Sequence, residues 1–187
     1  MTVMAADSDV LDRKLDRVFT MLDFDSDGRL AQEDLDTVAE QLGLAFGLSG
    51  TDPKVVALRA AFAAQWPDIS TKDADGDGRI TVEEYRESLK SSVAQDRAGF
   101  LDRFYAMVAA WLAIADTDND GLISLAEYTA MFAATVSAGE DALRTAFAQL
   151  DLNGDGQLSS EEIRIAVEEY YTSEDPQARG NWLLGPF

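Results

Sequence analysis

The chain has 187 residues, 47% of them apolar, and 35 acidic against 15 basic side chains leave a formal charge of −20. Such an acidic surface argues against nucleic acid as a partner, and the absence of cysteine and histidine excludes disulfides, ordinary zinc or copper centres and any Ser-His or Cys-His nucleophile. Residues 1–17 show no basic stretch followed by an apolar one and no run approaches 18 apolar residues, so a soluble cytoplasmic protein with no membrane partner is expected.

Taken in order, the chain reads as all-α. Val10, Leu11, Leu15, Val18, Phe19 and Leu22 recur at steps of three and four, which predicts a helix over 10–22. A second helix carries Leu35, Val38, Ala39 and Leu42 and dissolves near Gly43 and Gly47. Asp52 before Pro53 reads as an N-cap for a third, with Val55, Leu58, Phe62 and Trp66 on one stripe and a kink or restart at Pro67. A fourth uses Val82, Tyr85, Leu89 and Val93. The polar stretch SVAQDRAG then suggests a boundary between domains at 1–94 and 95–187. Phe100, Phe104, Met107, Val108, Trp111 and Leu112 line a fifth helix; Leu125, Tyr128, Met131 and Phe132 a sixth. SAGE at 137–140 reads as a capping box for a seventh, with Leu143, Phe147 and Leu150, and Ile163, Val167 and Tyr170 mark an eighth. The tail, TSEDPQARGNWLLGPF, cannot be one helix because of Pro176, Gly180 and Gly185. Its Trp182, Leu183, Leu184 and Phe187 would each forgo about 1.5 to 3 kcal/mol if left in water, so it is expected to fold back onto apolar surface between the lobes.

Between these helices one 12-residue pattern occurs four times, as DFDSDGRLAQED, DADGDGRITVEE, DTDNDGLISLAE and DLNGDGQLSSEE, starting at Asp23, Asp73, Asp116 and Asp151. Each has oxygen-bearing side chains at positions 1, 3, 5 and 12, glycine at position 6 and an apolar residue at position 8. A lone acidic run is usually a solvated face, but chance does not repeat the glycine and the apolar residue four times. The windows hold −16 of the −20 charge, which also argues against a disordered acidic chain. Ca²⁺ takes six to eight oxygens at about 2.3 to 2.6 Å, so it needs carboxylates on alternating residues and a distal one giving both oxygens. The pattern is that of the EF-hand loop.

The candidate ligands are Asp23, Asp25, Asp27, the Arg29 carbonyl and Asp34 in loop 1, and Asp73, Asp75, Asp77, the Arg79 carbonyl and Glu84 in loop 2. Loop 3 offers Asp116, Asp118, Asp120, the Leu122 carbonyl and Glu127; loop 4 offers Asp151, Asn153, Asp155, the Gln157 carbonyl and Glu162. Thr81, Ser124 and Ser159 at position 9 are expected to act through water. Up to four Ca²⁺ are implied. Loop 1 is expected to suit Mg²⁺ best, because Asp34 is one methylene shorter than glutamate and Ala31 offers no side-chain oxygen. Loops 3 and 4 start 35 residues apart and loops 1 and 2 start 50 apart, so the hands should pair as two lobes. In each, the position-8 residues, Leu30 with Ile80 and Ile123 with Leu158, should meet in a short antiparallel β contact.

Four hands, the long spacing between loops 1 and 2, Asp34 at position 12 and the tail GNWLLGPF together resemble the sarcoplasmic calcium-binding proteins and their bacterial, calerythrin-like relatives. The resemblance implies two EF-hand lobes packed compactly and an intracellular Ca²⁺/Mg²⁺ buffer or transport protein, expected as a monomer. Members often carry a degenerate loop, whereas all four here keep their ligands. The alternative is a sensor that exposes an apolar groove to a protein target. Beyond Met1 only Met4, Met21, Met107 and Met131 are present, too few for an adaptable groove of that type. No enzymatic activity is expected, since nearly every clustered carboxylate is already assigned to metal.

Overall fold

The computed structural model describes residues 8–135 and 139–185. Eight α-helices follow one another among them: α1 Ser8–Leu22, α2 Gln32–Ala45, α3 Pro53–Ile69, α4 Val82–Gln95, α5 Arg97–Ala115, α6 Leu125–Thr135, α7 Glu140–Leu150 and α8 Ser160–Thr172. Two short strands, β1 Ile123–Ser124 and β2 Gln157–Leu158, and a 3-10 turn at Arg179–Trp182 complete the order. The chain divides into two compact units, Leu15–Trp111 on the one hand and Met1–Lys14 with Leu112–Phe187 on the other.

In the Leu15–Trp111 unit, Leu30 and Ile80 pair as a single antiparallel bridge through both backbone bonds, at 2.8 and 2.9 Å. Their side chains are fully buried, and Phe19 meets Tyr85 edge-on at 5.8 Å, so the two loops are tied by hydrogen bonds in front and by core behind. Helix α2 closes with the glycine-dependent double bond expected at a left-handed C-terminus. Gly47 has φ +73°, its N–H donates to the Leu44 carbonyl, and the Leu48 N–H donates to that of Gly43. Gly43 is buried where α2 crosses α3, and any side chain there would collide with Val55 Cγ2. Asp52 caps α3 by accepting from the Lys54 N–H at 2.9 Å.

Pro67 does not make this helix restart: α3 runs through it to Ile69. The proline removes only the bond to the Ala63 carbonyl, at an exposed residue in the last turns, and Ser70 closes the end on the Trp66 carbonyl. Trp66 and Val93 are half-buried, and Gln65, Ser88 and Ser92 take buried places the apolar pattern did not mark.

The stretch SVAQDRAG, read as a domain boundary, is the junction of two helices. All of it is helical except Asp96, whose carboxylate accepts from the Gly99 N–H at 3.0 Å and whose carbonyl accepts from Phe100 at 2.9 Å. One residue therefore ends α4 and starts α5, and the limits of the compact units fall within α1 and α5 instead of at 94/95. Among the described residues α5 alone is long and apolar enough to cross a membrane. Here it enters loop 3 directly, with Phe100, Leu101, Phe104, Ile114 and Ala115 buried.

In the other unit β1 pairs antiparallel with β2, Ile123 opposite Leu158 and Ser124 opposite Gln157. Tyr128 packs edge-on against Phe147 at 5.5 Å and on Phe132 at 4.6 Å, over buried Leu143, Leu150, Ile163 and Val167. Helix α7 is capped by Gly139 and begins at Glu140, so Glu140 stands at its first position and cannot close the capping box read from SAGE; Ser137 lies outside the described residues. Lys14, at no exposure, donates to the Glu169 and Ser173 carbonyls at 3.0 and 2.7 Å, and the Tyr170 hydroxyl donates to the Lys14 carbonyl. An ammonium thus supplies the C-terminus of α8 with the donors and positive charge its last carbonyls lack. Burial lowers the Lys14 pKa to about 8, against the raising effect of Glu169 and Glu174.

Candidate metal centres

All four loops are built by the same short-range hydrogen bonds. The position-1 carboxylate accepts from the position-6 glycine N–H: Gly28 to Asp23 at 3.0 Å, Gly78 to Asp73 at 3.0 Å, Gly121 to Asp116 at 3.1 Å and Gly156 to Asp151 at 2.9 Å. Those glycines have φ of +76° to +83°, open to glycine without strain. The position-5 N–H donates to the position-3 side chain, and the position-7 N–H to the position-5 carboxylate, from Arg29, Arg79, Leu122 and Gln157 at 2.8 to 2.9 Å. These bonds coil each loop back on its first ligand. Position 4 is also left-handed in every loop: Ser26 at φ +57°, Gly76 at +71°, Asn119 at +58° and Gly154 at +72°. Sequence reasoning passed over this requirement, although Ser, Gly, Asn and Gly carried its signal.

Carboxylate oxygens of Asp23, Asp25 and Asp27 lie within 4.8 Å of one another, as do those of Asp73, Asp75 and Glu84 and of Asp116, Asp118 and Glu127. Loop 4 has an amide at its second ligand position; the Asn153 Oδ1 accepts from the Asp155 N–H at 2.8 Å, as an aspartate would. Every donor is a hard oxygen, which fits Ca²⁺ or Mg²⁺ and does not fit the nitrogen- and sulfur-preferring transition metals.

Position 12 separates loop 1 from the others. Glu84, Glu127 and Glu162 each reach both ends of their loop. One oxygen accepts from the position-2 N–H, of Ala74 at 3.1 Å, Thr117 at 2.8 Å and Leu152 at 2.9 Å. The other accepts from the position-9 N–H and hydroxyl of Thr81, Ser124 and Ser159. The position-9 hydroxyl in turn accepts from the glutamate's own N–H at 3.3 Å, completing a capping box for α4, α6 and α8. This direct role of Thr81, Ser124 and Ser159 was missed from sequence, although T-V-E-E, S-L-A-E and S-S-E-E spell the box. Asp34 accepts only from the Ala31 N–H, at 2.8 Å; among the described residues it has no bond from Phe24 at position 2. Its missing methylene keeps it at the helix end.

The electrostatics follow the same division. Burial raises the Glu127 carboxyl, and hydrogen bonds from Ser124 and Thr117 outweigh it and hold the group at about 2. Glu162 is likewise raised by burial but lowered overall by Ser159, Leu152 and Asn153. The Thr81 and Ala74 amides lower Glu84. Asp34 is raised, by burial first and then by Asp25, Asp23 and Asp27, against one bond from Ala31.

Two coupled pairs of helix–loop–helix units, with converging acidic oxygens in loops 1, 2 and 3, define a calcium-binding protein of the EF-hand class. The family model described as an EF-hand domain pair matches residues 12–90, and the EF-hand model matches 107–132 and 143–167. The chain is 29% identical over 166 residues to calerythrin of Saccharopolyspora erythraea, covering 88% of this chain and 91% of that one. It is 25% identical over 174 residues to the sarcoplasmic calcium-binding protein beta chain of Penaeus, covering 89% and 90%. A solved Streptomyces coelicolor calcium-binding protein, studied for prokaryotic calcium-mediated regulation, is 32% identical with a TM-score of 0.71 over 87% of this chain and 98% of that one. The chain belongs to the calerythrin-like group of EF-hand calcium-binding proteins.

Proposed function

We propose that the protein is a Ca²⁺/Mg²⁺ buffer or transport protein, acting as a monomer in the cytoplasm and without enzymatic activity. Its ligands are the positions named above in all four loops, with side-chain oxygens at 1, 3, 5 and 12 and the position-7 carbonyl. Loops 2, 3 and 4 are the calcium sites, and loop 1 is the site that best accepts Mg²⁺. The observation that carries buffering over sensing is the tail. The 3-10 turn Arg179–Trp182 lies against α8 and α7 of its own unit, with Gly180, Asn181 and Gly185 buried and Trp182, Leu183 and Leu184 half-buried. The Gly180 N–H donates to Glu169 Oε2 at 2.7 Å, the Asn181 amide donates to the Asp175 carbonyl at 2.9 Å, and the Tyr128 hydroxyl donates to the Trp182 carbonyl at 3.4 Å. Phe187 lies outside the described residues. An EF-hand pair whose apolar face is taken by its own chain has less surface to offer a partner helix. A sensor reading draws support from the Streptomyces relative, studied for calcium-mediated regulation.

The test is calorimetric titration of metal-free protein with Ca²⁺, with and without millimolar Mg²⁺, alongside a dye that reports exposed apolar surface. Buffering requires occupied sites with little change in the dye. A large calcium-dependent dye signal would replace it with the sensor reading.

A further inference from the structure

Loops 1 and 2 exchange their arginines. Arg29, at position 7 of loop 1, places Nη1 2.8 Å from Asp77 Oδ2 at position 5 of loop 2. Arg79, at position 7 of loop 2, places Nη1 2.9 Å from Asp27 Oδ2 at position 5 of loop 1. The other oxygen of each aspartate is taken by a backbone amide, Arg79 N–H to Asp77 Oδ1 and Arg29 N–H to Asp27 Oδ1, both at 2.8 Å. Both oxygens of both position-5 carboxylates are therefore engaged, one of them by a cation from the opposite loop. In the second pair of hands position 7 is Leu122 and Gln157, which bring no charge.

We infer that Arg29 and Arg79 set the divalent-cation affinity of the first pair of hands, each acting as an internal cation that competes for a ligand carboxylate of the opposite loop. The inference rests on the ligand assignment proposed above. Loading loop 1 must displace Arg79 from Asp27, and loading loop 2 must displace Arg29 from Asp77. Each loop carries −4 with its arginine and would carry −5 without it, so the arginines also relieve repulsion in the metal-free state. Both effects oppose binding in the same sense. The pairs are solvent-exposed, so the effect is modest and screened by salt. The result is a first pair held weaker than the second by residues that leave every ligand in place.

The experiment uses the full-length metal-free protein. Its position-6 glycine amides, Gly28, Gly78, Gly121 and Gly156, each bond the first ligand of one loop and so report the four loops separately by NMR during a Ca²⁺ titration. The double variant Arg29→Gln with Arg79→Gln keeps both carbonyls and copies the residue of loop 4. Gly28 and Gly78 should then titrate at Ca²⁺ concentrations lower by about threefold to tenfold, with Gly121 and Gly156 unmoved, and the gap should narrow as KCl is raised. Without metal, the same variant should melt earlier than wild type at low salt. Arg29→Lys with Arg79→Lys keeps the charge and should stay near wild type. Unchanged or weaker binding at Gly28 and Gly78 in the glutamine variant, or a lysine variant behaving like it, overturns the inference. A parallel Glu84→Gln variant separates the two levels: if the Gly78 titration does not respond to it, the ligand assignment itself is wrong.

Discussion

Gly180 is the point at which the tail can be detached without touching a ligand. A Cβ built there stands 2.5 Å from the Ala166 carbonyl oxygen, 2.5 Å from Glu169 Cβ and 3.0 Å from the Tyr170 N. Two of these are backbone atoms of α8, held in its hydrogen-bonded turns, so Gly180→Ala must push the 3-10 turn outward. Overpacking of this kind costs about 1 to 3 kcal/mol. The displaced turn also strains the Gly180–Glu169 bond and uncovers Trp182, Leu183 and Leu184, so the loss should lie toward the upper end of that range. Urea unfolding of the calcium-loaded protein measures the loss directly, with Gly50→Ala, whose new methyl would meet its nearest neighbour at an ordinary 3.6 Å, as the control. Dye fluorescence should rise in Gly180→Ala and not in the control. Stability within about 0.5 kcal/mol of wild type, with no dye response, would show that the tail does not cover the surface on which the buffering proposal depends.

Among the loops, Glu84→Gln, Glu127→Gln and Glu162→Gln should each weaken calcium at their own site by more than about tenfold, or 1.4 kcal/mol, in calorimetric titration; unchanged stoichiometry and affinity in all three would end the ligand assignment. Asp34→Glu restores the methylene that loop 1 lacks and should raise its preference for Ca²⁺ over Mg²⁺, measured as the ratio of the two affinities; an equal or lower ratio counts against the argument. Lys14 gives the pH prediction. Its pKa is about 8 folded against 10.5 unfolded, so the unfolded state binds more protons between these values and stability should rise with pH across that window. The gain is on the order of 3 kcal/mol, and Lys14→Met should remove that slope from urea titrations. An identical slope in both proteins would refute it.

The loops were legible because their physics is local. Position 6 needs a left-handed backbone, position 8 needs a buried partner across the pair, and both demands appear at fixed offsets in Gly28, Gly78, Gly121 and Gly156 and in Leu30, Ile80, Ile123 and Leu158. What failed was punctuation. Pro67 reads as a breaker, yet near a helix end it removes a single bond at an exposed carbonyl. SVAQDRAG reads as a domain boundary because polarity is its only signal, and polarity does not tell a helix surface from a loop. Lys14 and the two arginine pairs depend on residues 155, 48 and 52 positions away, which no window along the chain contains.

The position-12 side chain connects loop geometry to function. In loops 2, 3 and 4 one glutamate already joins the loop's second residue to the cap of its exiting helix. Oxygens of Glu84 and Glu127 thereby stand within 4.8 Å of those of the first two aspartates of their loops. Drawing such a carboxylate onto a cation would exchange these local hydrogen bonds for bonds to the cation. A sensor needs the opposite: a position-12 residue held far from the cage, so that its recruitment levers the helix outward. The buffering proposal accordingly expects hands closed by their own glutamates to keep their helices in place as cations come and go.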